Sequence, residues 1–120
     1  MKKEILNSKY AENSVAPYSQ MVRYGDLIFI SGQVAEEARG DVSRQTQIIL
    51  ERIGNMLSDI GSDKSKVIKC MIHLSDIKFF DEMNKVYAAY FEKDFPARIC
   101  TSGAQLWGGL EIEIEAIAVM

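Results

Sequence analysis

The last eleven residues, LEIEIEAIAVM (110–120), alternate apolar and polar side chains. Period two fits a β-strand with one face buried and no other regular element. It groups Leu110, Ile112, Ile114 and Ala116 on one face and Glu111, Glu113 and Glu115 on the other, with Ile117 and Val119 following. Three carboxylates ~7 Å apart along one face repel, and burying any of them unpaired costs several kcal/mol. That face is therefore solvated, or it meets something cationic.

The rest of the chain supplies the partners such a strand needs. VAPYSQMVRYGDLIFISGQVA reads as an Ala-Pro entry followed by a hairpin, with strand 19–24, a turn at Gly25-Asp26 and strand 27–31. From Asp41 the period changes. Val42, Ile49, Leu50, Ile53, Met56, Leu57 and Ile60 recur at three and four, which predicts an amphipathic helix with Asp41 as N-cap and Gly61 as its stop. VIKCMIHLSD is a strand, with Ile68, Cys70, Ile72 and Leu74 alternating with Val67, Met71 and His73. Phe79, Phe80, Met83, Val86, Tyr87, Tyr90 and Phe91 share a face of a second helix that starts at Asp76 or Asp81 and ends at Pro96. ARICTSGAQL is another strand, and Trp107-Gly108-Gly109 turns the chain into the glutamate strand.

The order ββαβαββ, with hairpins at both ends, predicts a single α+β domain over residues 1–120. It has a mixed sheet with both helices packed on one face. The other face carries apolar side chains and lies bare, which predicts self-association.

Composition excludes several classes. With 48% hydrophobic and 26% charged residues the chain is globular, and a net charge of −3 with no long basic run argues against nucleic acid as a partner. One histidine and two cysteines outside any CxxC pair give too few ligands for a zinc site, and the two thiols fit a cytoplasmic protein. The N-terminus lacks the apolar core of a signal peptide, and no apolar run is long enough to span a membrane.

Candidate chemistry lies at a few positions. Arg98, in FPARIC, offers a planar fork to a carboxylate, either a protein glutamate or a ligand; a hairpin between its strand and the next would bring it beside the glutamate face. Gly32, after Ser31, either ends a strand or lets another group approach the backbone. Tyr18 reads as a half-buried rim residue, Asn84 as a solvated helix residue one position off the apolar stripe, and His73 as a satisfied core histidine.

Taken in order, APYSQ (16–20), ISGQV (30–34), MNKVYAAYF (83–91), FPARIC (95–100) and IEIEAIAV (112–119) resemble the RidA/YjgF family of imine deaminases, also described as L-PSP endoribonuclease-like. The resemblance spans nearly the whole chain. It implies a chorismate-mutase-like fold, a homotrimer with sites between subunits, and hydrolysis of small 2-imino acids to 2-keto acids and ammonia without metal or cofactor. By resemblance Arg98 grips the substrate carboxylate and Glu113 orients the attacking water. Tyr18 and Asn84 line the cleft, and Ser31, Gly32 and Cys100 contact the ligand. Three departures touch the rim: a short loop VAEEARGDV after Gln33, Ile99 between the arginine and the cysteine, and SGAQLWGGLE with an unusual Trp107. A non-catalytic, carboxylate-binding trimer is the alternative reading, with ribonuclease activity a further one that the acidic balance disfavours.

Overall fold

A computed structural model describes residues 2–12 and 14–120. Its six strands are β1 (Glu4–Leu6), β2 (Met21–Tyr24), β3 (Leu27–Gln33), β4 (Val67–Leu74), β5 (Ala97–Thr101) and β6 (Ile112–Val119). Two helices, α1 (Val42–Asp59) and α2 (Phe80–Phe91), cross between them. The strands form one sheet in the order β1-β2-β3-β6-β4-β5, so the fold is α+β with a mixed sheet, as expected. Strand β1, which no sequence pattern signalled, adds an edge by pairing antiparallel with β2.

The terminal strand β6 occupies the centre because it is apolar where burial demands it. Ile112, Ile114, Ala116 and Ala118 are fully buried beneath the helices. Each isoleucine there contributes about 2 kcal/mol of burial energy. Helix α1 meets this face with Val42, Ile49, Leu50, Ile53, Met56 and Leu57. Its ends match their sequence signals. The Asp41 carboxylate accepts from the Arg44 N–H at 3.0 Å. At the other end Gly61 adopts φ +88°, and the Ser62 and Gly61 N–H groups bond back to Leu57 and Ser58 at 2.9 and 3.2 Å, a Schellman stop.

Several local expectations are corrected. Strands β5 and β6 do not form a hairpin: β4 lies between them, antiparallel to β6 and parallel to β5. The β4–α2–β5 segment is a strand–helix–strand crossover, and a twelve-residue helix between two strands favours a parallel neighbour. Residues 102–106 are loop, not a continuation of β5. Helix α2 stops at Phe91, where Glu92 takes φ +66°, before Pro96 is reached. In β4 an irregularity between Val67 and Lys69 leaves Ile68 45% exposed and buries Val67 with Cys70 instead.

The sheet face away from the helices is bare. Leu27, Phe29 and Ile99 stand there 39, 42 and 52% exposed, beside the half-buried Met71, Ile117 and Val119. Among the described residues no helix is long and apolar enough to cross a membrane.

Candidate active site

The three glutamates of the last segment have three different environments. Glu111 precedes β6 and leaves its alternation. Its carboxylate accepts from the Gly40 N–H at 2.9 Å and from the buried Gln45 amide at 2.7 Å. Desolvation pushes this carboxyl up, but those hydrogen bonds and nearby Arg39 outweigh it and hold its pKa below the usual value. Glu111 therefore fastens the start of α1. Glu115 lies on the bare face and meets His73, whose Nε2 is 3.2 Å from Oε2 and whose Nδ1 is 2.9 Å from the Thr101 hydroxyl. His73 is thus a bridging residue on the open face, not a core residue.

Glu113 is placed by a bulge. In β3, Ile30 pairs with Ala116 but Gln33 pairs with Ile114, so three steps on one strand oppose two on the other. The extra residue redirects Ser31 and Gly32. The Ser31 hydroxyl donates to the Ser19 carbonyl at 2.6 Å, and its N–H bonds to the Gln20 carbonyl at 3.1 Å. Gly32 lies directly over the Glu113 side chain: a Cβ there would stand 2.0 Å from Oε2. The close approach that the ISGQ sequence allowed is therefore real, and a glutamate uses it. Burial raises the Glu113 pKa above 4.5, the charge of Glu115 adds to this, and His73 opposes it.

Glu113, Ser31, Gly32 and Tyr18 line one open cleft of about 1010 Å³. Tyr18 is 53% exposed on a loop tightened by its own N–H bond to Ala16 at 2.8 Å. Glu12, Ser14, Val15, Ala16, Val34, Glu36 and Trp107 complete the wall.

The remaining predicted site residues lie elsewhere. Arg98 pairs in register with Cys70, and Cys70 with Ala116, so it points to the helix face of the sheet. Glu113 pairs with His73, on the opposite face. The expectation that Arg98 stands beside the glutamate face within one chain is therefore corrected. Its guanidinium lies 4.9 Å from the ring centre of Tyr87 and 5.7 Å from that of Phe80, against the Met83 sulfur. Among the described residues no carboxylate pairs with it, although the residue is exposed. Asn84 lies on α2 between Phe80 and Tyr87 and is not solvated: its amide oxygen is buried without a partner. Cys100 is half-buried on the Arg98 face; burial raises its thiol pKa and Arg98 counters it. The buried Cys70 thiol is pushed up to about 11, so it is an inert packing group at neutral pH.

The structure thus gathers Tyr18, Ser31, Gly32 and Glu113 on one side of the sheet, and Asn84, Arg98 and Cys100 on the other side at the edge strand β5. Two arginines that support the cleft carried no sequence signal. Arg52, only 11% exposed, ties α1 to both cleft loops through the Val34 carbonyl, Glu12 at 3.2 Å and Glu37 at 3.1 Å. Arg39 donates to the Gly108 carbonyl and pairs with Glu36 at 3.7 Å.

Residues 9–120 match the family described as Endoribonuclease L-PSP. A RutC family protein of Pyrococcus horikoshii is 38% identical over 97% of both chains. A human protein named 2-iminobutanoate/2-iminopropanoate deaminase is 33% identical, with 98% of this chain and 90% of the human one covered. Among solved structures, E. coli TdcF with bound serine superposes with a TM-score of 0.89 at 30% identity, covering 98% of each chain. RidA from an Antarctic Psychrobacter gives 0.90 at 29% identity, covering 98% of this chain and 99% of that one. The chain belongs to the RidA/YjgF family.

Proposed function

We propose that the protein hydrolyses small 2-imino acids, such as 2-iminopropanoate and its enamine tautomer 2-aminoacrylate, to 2-keto acids and ammonia. The observation that carries this reading is the Glu113 carboxylate: desolvated, raised in pKa, and held under Gly32 at the wall of an open cleft. A carboxylate in that state is a stronger proton acceptor than a solvated one. Water adds to C2 of the imine while Glu113 takes one of its protons. That proton passes to nitrogen and gives the carbinolamine; the C2–N bond then breaks as Glu113 moves the hydroxyl proton to the departing nitrogen, so imine plus water becomes keto acid plus ammonia.

The substrate carboxylate falls to Arg98, whose fork has no internal ion-pair partner among the described residues. Arg98 and Glu113 face opposite ways within one chain, so the reading needs a second copy whose β5 edge closes the cleft. The bare apolar face and the unpaired edge of β5 support such an assembly, and a closed trimer repeats the contact three times. Asn84, with its orphaned oxygen, and Cys100 then belong to the carboxylate half of the site.

The human relative bears the name of this activity, and the serine bound to TdcF is itself a small 2-amino acid. RNA cleavage, which the family description suggests, fits less well, because three carboxylates (Glu12, Glu36 and Glu113) line the cleft and repel phosphate.

The test is competition. Imines generated by an amino-acid oxidase are trapped with semicarbazide, and the protein is added to compete with the trap. Native protein suppresses adduct formation. Arg98→Ala loses at least about 30-fold in kcat/KM, the equivalent of about 2 kcal/mol for a charge-assisted pair, with its size in light scattering unchanged. Full activity in that variant refutes the assignment.

A further inference from the structure

Trp107 is the single tryptophan of the chain, and it is 65% exposed at the cleft wall. An indole left in water is costly, whereas Leu110, three residues on, is completely buried. The backbone that carries the ring is also fixed in place. Gly108 and Gly109 take φ +64° and +70°, a conformation that side chains resist, and so turn the backbone sharply after the tryptophan. The Gly109 N–H bonds to Leu106 at 3.0 Å and the Leu110 N–H to Trp107 at 3.3 Å. Arg39 reaches from the loop after β3 to hold the Gly108 carbonyl. Two loops that depart from the usual family pattern are thereby tied to each other, and the tie holds an aromatic plate against the cleft.

The rest of that wall says what the plate meets. Val15, Ala16 and Val34 are apolar, and Tyr18 adds a second ring. Of the three carboxylates of the wall, Glu12 and Glu36 are already engaged by Arg52 and Arg39 at 3.2 and 3.7 Å, which leaves Glu113. The Ser14 hydroxyl oxygen accepts from the Ala16 N–H at 3.1 Å and the Ser31 hydroxyl donates to the Ser19 carbonyl, so the surface left for a ligand beside Glu113 is mainly apolar. We infer that Trp107 is a specificity-determining residue, and that it selects 2-imino acids with a branched aliphatic side chain over those with a methyl group. The inference rests on the imine reading of the same site. The substrate side chain lies on the indole while C2 faces Glu113, and Arg39 acts as a positioning residue for the plate.

The experiment compares leucine-derived with alanine-derived imine in the semicarbazide competition. Trp107→Ala lowers kcat/KM for the leucine imine about tenfold more than for the alanine imine, the scale expected when an apolar contact with a few methylenes is lost. Trp107→Phe keeps the native ratio within about twofold, because it restores a flat apolar ring. A second readout needs no turnover. The fluorescence of the single tryptophan is titrated with 4-methyl-2-oxopentanoate and with pyruvate as unreactive probes. The branched acid changes the emission saturably at about tenfold lower concentration. An unchanged substrate ratio in Trp107→Ala, or emission that responds equally to both acids, overturns the inference. A preference for an arginine-derived imine that depends on Trp107 also overturns it. If the native protein turns over no imine, the proposed function falls, and the titration still decides the character of the pocket.

Discussion

The Glu113 carboxylate occupies the space that a side chain on Gly32 would fill: a methyl there would lie 2.0 Å from the carboxylate oxygen. The bulge in β3 brings the glycine backbone over the acid, and the acid stands in the space a side chain would fill. Gly32→Ala therefore moves Glu113 by about an ångström or more. Misplacement on that scale costs about 100-fold in kcat, measured by imine competition, while the sheet persists in circular dichroism. Activity within twofold of native would show that the carboxylate position does not matter.

The pKa of Glu113 dictates a pH dependence. Its carboxyl is raised by burial and by Glu115 and lowered by His73. As the proton acceptor it works only when ionised, so the acid limb of kcat/KM lies above pH 4.5. Glu115→Gln moves that limb to lower pH and His73→Gln moves it to higher pH. Stability follows the same linkage. The folded chain binds this proton more tightly than the unfolded one, so ionising Glu113 destabilises the fold as pH rises through 4.5 and beyond. Glu113→Gln, though inactive, accordingly melts at a higher temperature than native protein at pH 7. A lower melting temperature there would contradict the desolvated environment.

A third expectation concerns stability alone. Gly54 lies inside α1, where alanine normally stabilises a helix by about 1 kcal/mol. Here a Cβ would meet the Tyr90 hydroxyl at 2.2 Å. Gly54→Ala instead destabilises by about 1 kcal/mol or more, in the range of overpacked sites. Combining it with Tyr90→Phe removes the collision and recovers the helical gain. Urea midpoints of the four proteins give the coupling, and additive effects would mean that α1 and α2 are not packed at this point.

The helices and most strands were legible because their signals are local. Asp41 and Gly61 mark the ends of α1 through hydrogen bonds only a few residues long, and the alternation of 112–119 identifies β6 directly. Pairing between strands was less legible. Nothing within FPARIC tells that β4 separates Arg98 from Glu113, since that depends on the crossover through α2. The face on which Arg98 lies, and so its distance from Glu113, was lost with it. Glu111 obeys the alternation in sequence yet leaves it in space, because the buried Gln45 amide sixty-six residues away needs an acceptor. Tyr18, Ser31, Gly32 and Glu113 were recognised through family motifs that do meet in the cleft. Arg39 and Arg52 were not, since a helix-borne or loop arginine looks the same in sequence whether it is solvated or buried against a carbonyl.

The central position of β6 also governs how the fold assembles. Strands β3 and β4 flank it on either side, so each has an unsatisfied edge until β6, last in chain order of the six described strands, inserts between them. Closure of the sheet is thus a late, long-range event. Until β6 is in place, the half-sheets β1-β2-β3 and β4-β5 each keep one inner edge unpaired.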